Sequence, residues 1–269
     1  MRRDAGPDFI EALARGLDVL RCFQPGRRYM TLSEVAAEAQ LARPTARRIL
    51  ITLQKLGYVR SDEAGFALTP RVLELGMTYI GSQNIWELAE PHLRTLVDRT
   101  RESCSIAQLD GSDIVYVSRV AMPKLVTLSV TVGTRFPAVQ TSLGKVLLAA
   151  LDGPALDRVL AQPSRSGITP RHHPQRDELN EMLRDVRAKG WAVTDEELAL
   201  GIRSIAAPIR NGQGLTVAAV NVNAHAAETS VDRLVEDHLP LLLRTAGDIS
   251  ADWAAWENRP LATLAPRGG

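Results

Sequence analysis

Between Leu41 and Gly57 the apolar residues Ala46, Ile49, Leu50, Leu53 and Leu56 recur at three- and four-residue intervals. That spacing predicts a helix with one buried face, closed by Gly57. A longer helix is expected before it, over Phe9–Phe23, where Ile10, Leu13, Leu17, Leu20 and Cys22 supply apolar surface and Pro25-Gly26 stops the run. Between the two, Thr31 opens a short helix ending near Gln40. Glu34 holds the capping-box position behind Thr31, and Met30 and Val35 are spaced as a hydrophobic staple. After Gly57, Tyr58–Arg60 and Phe66–Leu68 read as two short strands around the turn Asp62-Glu63-Ala64-Gly65. Helix, helix, turn, helix and hairpin make a winged helix-turn-helix pattern over residues 9–69, with the helix-turn-helix at about 32–56.

Beyond it the pattern changes. Thr69-Pro70 starts a helix over residues 70–83 whose apolar residues (Val72, Leu73, Leu75, Met77, Tyr79, Ile80) extend nearly all round it. Such a helix needs partners on more than one side, and it is read as a linker that also contributes to a subunit contact. Asn84 with Glu87 marks the next helix, to about Arg101. Strands are then expected at Ser103–Leu109, Ile114–Val120 and Leu125–Val132, with Gly133–Pro137 as a loop. Helices follow at Leu143–Leu151, Pro154–Ala161 and Pro174–Lys189, strands at Trp191–Thr194, Arg203–Arg210 and Leu215–Asn223, and a terminal helix at roughly Val231–Trp256. Strands, helices and strands again imply an α+β domain with an antiparallel sheet over residues 84–257. Residues 258–269 read as a disordered tail.

Charge sharpens the first half. The net charge of +1 hides an asymmetry: residues 1–60 hold 11 Lys/Arg against six Asp/Glu, and residues 61–269 hold 21 against 25. From Ala39 to Ser61 there is no acidic residue and there are five basic ones, Arg43, Arg47, Arg48, Lys55 and Arg60. With the apolar set turned inward, Pro44, Arg48, Ile51 and Lys55 lie on the opposite face, flanked by Thr45, Arg47 and Thr52. A basic helix between a capped helix and a hairpin is a DNA footprint. Arg reads guanine in the major groove, while Lys more often holds phosphate. Arg48 and Thr45 are therefore assigned base contacts, and Arg47 and Lys55 phosphate contacts. Arg43, Pro44 and Thr52 complete the face. Asp62 and Glu63 repel phosphate at the wing tip, which leaves Arg60 to make its contact.

The remaining composition excludes more than it adds. Cys22 and Cys104 are too few for a disulfide framework or a zinc site. No apolar run approaches the ~20 residues of a membrane span, and the N-terminus, with Asp4 and Asp8, lacks the apolar core of a signal peptide. A cytoplasmic protein is expected.

Several runs carry a family resemblance. FIEALARGLDVL (9–20), TLSEVA (31–36), LGYV (56–59) and LTPRVLELG (68–76) resemble the DNA-binding half of the IclR family of bacterial transcription regulators. TSLGKVLLA (141–149), DEELALGIRSIAAPI (195–209) and AAVNV (218–222) resemble its effector half. TVGTRFPA (131–138) and DGSDIVYV (110–117) are similar to the subgroup controlling protocatechuate and β-ketoadipate catabolism, the Pca and Pob type regulators. One departure is Ala42, where the family often has a Ser capping the recognition helix.

The resemblance implies a GAF-like effector-binding domain for a small organic or aromatic acid. It also implies a homodimer or tetramer reading a palindromic operator on double-stranded DNA. Carried over by motif, the pocket maps to Ser142, Leu143, Thr194, Ser204, Asn221 and Asn223. The residues themselves point the same way. Thr141 or Ser142 caps a helix whose free N–H groups suit a carboxylate. Asn221 and Asn223 share a strand face with Val217 and Ala219 and must find hydrogen-bond partners. Arg135 is a further candidate carboxylate clamp.

Catalytic and metal readings find less. Ser142-Leu-Gly-Lys145 matches the S-x-x-K pattern of penicillin-interacting enzymes, but their S-D-N and K-T-G motifs are absent. His172-His173 beside Asp177 and Glu178 is read as loop and cap rather than a metal site. No cofactor, metal or catalytic residue is expected, and a GAF-like protein with catalytic or metal-dependent function is the alternative to a regulator.

Overall fold

The computed structural model describes residues 6–24, 26–82, 85–123 and 130–258. The chain divides into two compact units, one ending at Ser82 and the other following it.

The first unit contains α1 (Glu11–Arg21), α2 (Leu32–Glu38), α3 (Arg43–Lys55), β1 (Val59–Asp62), β2 (Gly65–Leu68) and α4 (Leu73–Ser82), the last entered through a 3-10 turn at Pro70–Val72. Its core gathers Val19, Met30, Val35, Leu50, Leu53 and Val59. The capping box at Thr31 forms in both directions: Glu34 N–H donates to Thr31 Oγ1 at 3.3 Å, and Thr31 N–H to Glu34 Oε2 at 2.7 Å. Helix α2 then ends abruptly. Gln40 adopts a left-handed φ of 53°, and Leu41 N–H donates to Ala36 O at 2.8 Å. This Schellman-type turn sets the entry to α3 without a glycine. At the other end of the hairpin Gly65 is obligatory: its φ is +122°, and a Cβ there would meet Met30 O at 2.7 Å.

The second unit contains α5 (Ile85–Thr100), β3 (Ser103–Asp110), β4 (Asp113–Val120), β5 (Arg135–Pro137), α6 (Ser142–Ala149), α7 (Gly153–Leu160), α8 (Arg176–Lys189), β6 (Ala192–Asp195), β7 (Ile202–Arg210), β8 (Thr216–His225), α9 (Val231–Arg233) and α10 (Leu239–Glu257). The six strands form one antiparallel sheet in the order β5-β4-β3-β8-β7-β6. Period-two alternation gives it two buried faces. Cys104, Ile106, Ile205, Val220 and Val222 pack against α5 and α10 with Leu93, Leu242 and Trp253, whereas Ala107, Tyr116, Ala206 and Ala219 pack with Leu143 of α6 and Leu183 of α8. The result is an α+β layered domain of the GAF-like kind.

Four expectations change. The C-terminal helix is not continuous: a π-helical turn, Leu234–His238, separates α9 from α10. Pro240 explains it, because its ring crowds the carbonyl four residues earlier and it has no N–H to donate, so the ladder widens before it. Gly133–Pro137 is not wholly loop, since Arg135–Pro137 pairs with Asp113–Val115 as edge strand β5. The strand expected at Leu125–Val132 falls largely outside the described residues, and Val130–Val132 are not strand. Leu56, placed in the buried seam of α3, is 52% exposed because it is the helix C-cap, past the last packed turn. Asn84 and residues 259–269 also lie outside the described residues.

Candidate functional site

Helix α3 separates its residues by phase. Ala46, Leu50 and Leu53 are buried, while Arg43, Pro44, Arg47, Arg48, Thr52 and Lys55 are exposed and Thr45 is half-buried. Pro44 sits in the first turn, where its missing N–H costs nothing. The N-cap Ala42 has the right extended backbone (φ −61°, ψ 137°) but no side-chain bond to the helix. Among the described residues, Arg43, Arg47, Arg48 and Lys55 have no acidic partner. The four cations fan across the exposed side of α3, solvated and available to a polyanion. Thr52 spends its hydroxyl proton on Arg48 O at 2.9 Å, leaving only acceptor capacity outward.

Arg60 is different. Its guanidinium donates to Asp62 Oδ2 at 2.7 Å and to Tyr29 Oη at 2.6 Å, and it lies 5.1 Å from the Tyr29 ring centre. The wing cation is therefore held between the hairpin and the segment before α2, and its pKa is pushed up by Tyr29 first and Asp62 after it. Tyr29 was not singled out in the sequence. Only the pairing of Met30 with Phe66, which brings the segment before α2 to the hairpin, reveals it.

In the second unit the start of α6 faces β6, β7 and β8. Thr141 caps the helix, accepting from Gly144 N–H at 3.1 Å, so Ser142 and Leu143 occupy the first two helical positions with free backbone N–H groups. Gly144 allows this approach: a Cβ would lie 2.0 Å from Ala138 O. Ser142 Oγ lies 2.7 Å from Ser204 Oγ on β7, which lies 2.8 Å from Thr194 Oγ1 on β6. All three are buried. Asn223 pairs laterally with Ser204, and Asn221 with Ala206, so both amides share the face of the hydroxyl chain. Asn221 Oδ1 accepts from Ser105 N–H at 3.1 Å.

Six sequence-derived positions thus converge, and Arg135 does not join them. It lies on edge strand β5 with its donors committed: Nη1 to Asp110 Oδ2 at 2.7 Å, Nη2 to Asp110 O at 2.9 Å, and Nε to Asp113 Oδ2 at 3.3 Å. Asp113 is 1% exposed and also accepts from Ser164 and from Arg165 N–H, so this is a structural knot.

The enzyme-like motif dissolves into packing. Lys145 Nζ donates to Glu197 Oε1 at 2.6 Å, while Ser142 is bonded to Ser204, so no serine–lysine couple exists. Burial lowers the Lys145 pKa, and Glu197 opposes that shift. His172 meets Glu178 at 3.2 Å near the start of α8. Among the described residues no cluster of three His, Cys, Asp or Glu could hold a metal, and no helix is long and apolar enough to cross a membrane.

Comparison with known proteins covers both units. Residues 12–63 match the IclR helix-turn-helix domain, and residues 77–251 match the C-terminal domain of bacterial IclR transcriptional regulators. The Pca regulon regulatory protein of Pseudomonas putida is 38% identical over 244 residues, 90% of this chain and 84% of that one. The p-hydroxybenzoate hydroxylase transcriptional activator of Acinetobacter baylyi is 35% identical over 247 residues, 90% of this chain and 91% of that one. Among solved structures, a double mutant of the Acinetobacter PobR inducer-binding domain in complex with 3-hydroxybenzoic acid superposes with a TM-score of 0.56. That structure is 32% identical, covering 61% of this chain and 96% of that one.

Proposed function

The chain belongs to the IclR family of bacterial transcription regulators, and from that premise we propose that it switches genes of aromatic acid catabolism in response to a small carboxylic acid bound at the start of α6. It is a DNA-binding regulator and not an enzyme. Arg48 and Thr45 read base edges in the major groove, Arg43, Arg47 and Lys55 hold phosphate, and Arg60 makes the wing contact. Pro44 and Thr52 complete the surface.

The observation that carries the effector reading is the hydroxyl chain. Thr194, Ser204 and Ser142 have one O–H donor each, and the chain between them contains two bonds. One donor is therefore left over, and when Thr194 donates to Ser204 and Ser204 to Ser142 it is the Ser142 hydroxyl, beside the free N–H groups of Ser142 and Leu143. A carboxylate takes up all of these at once, and the positive end of α6 favours its charge. Leu143, Asn221 and Asn223 line the same place. The named relatives support an aromatic acid in particular. Acid binding alters operator affinity only if the DNA-competent and incompetent states bind the acid unequally.

A second copy of the chain is part of the reading. Leu13 and Leu17 on α1 and Leu73, Leu75 and Met77 on α4 are exposed in the single chain, and a symmetric dimer that covered them would present two α3 helices to a palindrome. The acting compartment is the cytoplasm. Titration calorimetry of the whole protein with protocatechuate, 4-hydroxybenzoate and β-ketoadipate tests the effector class. Saturable heat from one of them is expected, and no heat from any sinks it. Footprinting of the adjacent intergenic DNA with and without the acid that binds then tests the switch.

A further inference from the structure

One cation on the α6 face of the sheet has no counter-charge among the described residues. Arg119 on β4 lies laterally opposite Ser105 on β3, which lies opposite Asn221 on β8, which lies opposite Ala206 on β7. Lateral partners share a face. Cys104 and Ile106, either side of Ser105, belong to the opposite core, so this row faces α6. The irregularity opposite Ile106/Ala107 preserves the phase, with Tyr116 on the α6 side and Val117 on the other.

Arg119 Nη1 donates to Ser105 Oγ at 3.0 Å, and Ser105 N–H donates to Asn221 Oδ1 at 3.1 Å. The guanidinium is therefore separated from a pocket amide by a single serine. It is half-buried, yet no carboxylate meets it among the described residues, and residues 121–132, which follow β4, contain no Asp or Glu. The other half-buried arginines of the sheet are matched: Arg135 by Asp110 and Asp113, and Arg203 by Asp195 at 2.7 Å. Burial lowers the pKa of Arg119, opposed only by Tyr116 and Cys104, two very weak acids. A desolvated cation without a partner is costly unless a ligand supplies one.

We propose that Arg119 binds the effector's carboxylate and makes the site select acids over their neutral analogues. This rests on the effector reading above. Of the five N–H donors of an arginine, the Ser105 bond uses one, leaving the rest of the fork for bidentate recognition. Tyr116, buried edge-on against Phe136 with ring centres 5.8 Å apart, adds an aromatic wall on the same face. The acidic group then completes the row Arg119–Ser105–Asn221.

The test is calorimetry on the full-length protein with 4-hydroxybenzoate, protocatechuate and the neutral analogue 4-hydroxybenzamide. Arg119→Gln is expected to weaken the acids about 10- to 100-fold, the range for a charged hydrogen-bonding group, and to leave the amide within about threefold of its wild-type affinity. Arg119→Lys, which keeps the charge but not the fork, is expected to weaken the acids about three- to tenfold. The unfolding transition of the second unit without acid reports that each variant is folded, and if Arg119→Gln fails that control, Arg119→Lys decides. Acid affinity in the deciding variant equal to wild type overturns the proposal, as does an equal loss of acid and amide. If the wild-type protein binds neither acid, the effector reading itself has failed and the proposal falls with it.

Discussion

The two candidate binding regions handle their polar groups in opposite ways. On α3 the cations stand in solvent with no acidic partner among the described residues, whereas the hydroxyls at the start of α6 are buried and bonded to one another. Solvent explains the contrast. An exposed guanidinium is hydrated at little cost and keeps its charge available to a polyanion. A buried hydroxyl must be satisfied before a ligand arrives, so its site is closed on itself and differs from ordinary packing only by a surplus donor. A reading surface can be found by asking which charges are unmatched. An effector site needs an account of protons.

The comparison breaks first if the seam of α3 is not what holds the reading face. Leu50→Ala removes a fully buried side chain from the first unit. It is expected to cost about 2–5 kcal/mol of that unit's stability and to abolish operator binding while leaving acid affinity unchanged. Thermal unfolding followed with calorimetry measures both, and a loss of acid binding would show that the two regions are not independent. Arg48→Ala leaves the seam alone. It is expected to lose about 1–3 kcal/mol of specific DNA affinity with no change in unfolding temperature. A gel shift of unchanged affinity from this variant removes Arg48 from the base-reading role.

How much could be read in the sequence follows the same division. The reading helix is 13 consecutive residues, so its phase, its missing acids and its weak cap at Ala42 are all local. Only its C-terminal end departs from that local pattern, at Leu56. Ser142 and Ser204 stand 62 positions apart and meet at 2.7 Å. Nothing in spacing announces that contact, and the family resemblance alone brought the two together. Arg135 was a natural candidate for a clamp, because neither of its carboxylate partners can be assigned until β5 pairs with β4. Arg119 is silent in the sequence for the complementary reason: its isolation depends on the register of β3 against β4 and β8. The π turn before Pro240 is a milder case, where an apolar pattern ran straight through a residue that a regular helix could not accommodate.

Within the effector region the sharper test is Ser204→Ala. Ser204 Oγ is the middle of the chain, so its loss leaves Ser142 and Thr194 hydroxyls buried and unbonded to each other. An effect on acid affinity of about 1–1.5 kcal/mol, some tenfold in Kd, is expected, with operator affinity in the absence of acid unchanged. If acid affinity does not move, the hydroxyl chain is packing and the carboxylate is held elsewhere.

The smallest effect is a gain. Ala42→Ser places a capping hydroxyl at a position whose backbone is already extended as an N-cap requires. Its reward is limited, because a cap serves the second and third helical N–H groups and the second here belongs to Pro44, which has none. Only Thr45 N–H remains, and it already donates to Ala42 O at 2.9 Å. The stabilisation expected is therefore at the low end for a cap, about 0.5 kcal/mol, read as a rise of a few degrees at most in the unfolding temperature of the first unit. Thr45 and Arg48 lie in the first two turns of α3, so ordering its start is expected to slow operator dissociation slightly and to leave acid binding untouched. A variant that is no more stable than wild type would show that Pro44 and the turn at Gln40 already fix the start of the helix, and that the family's usual serine has nothing left to hold in this chain.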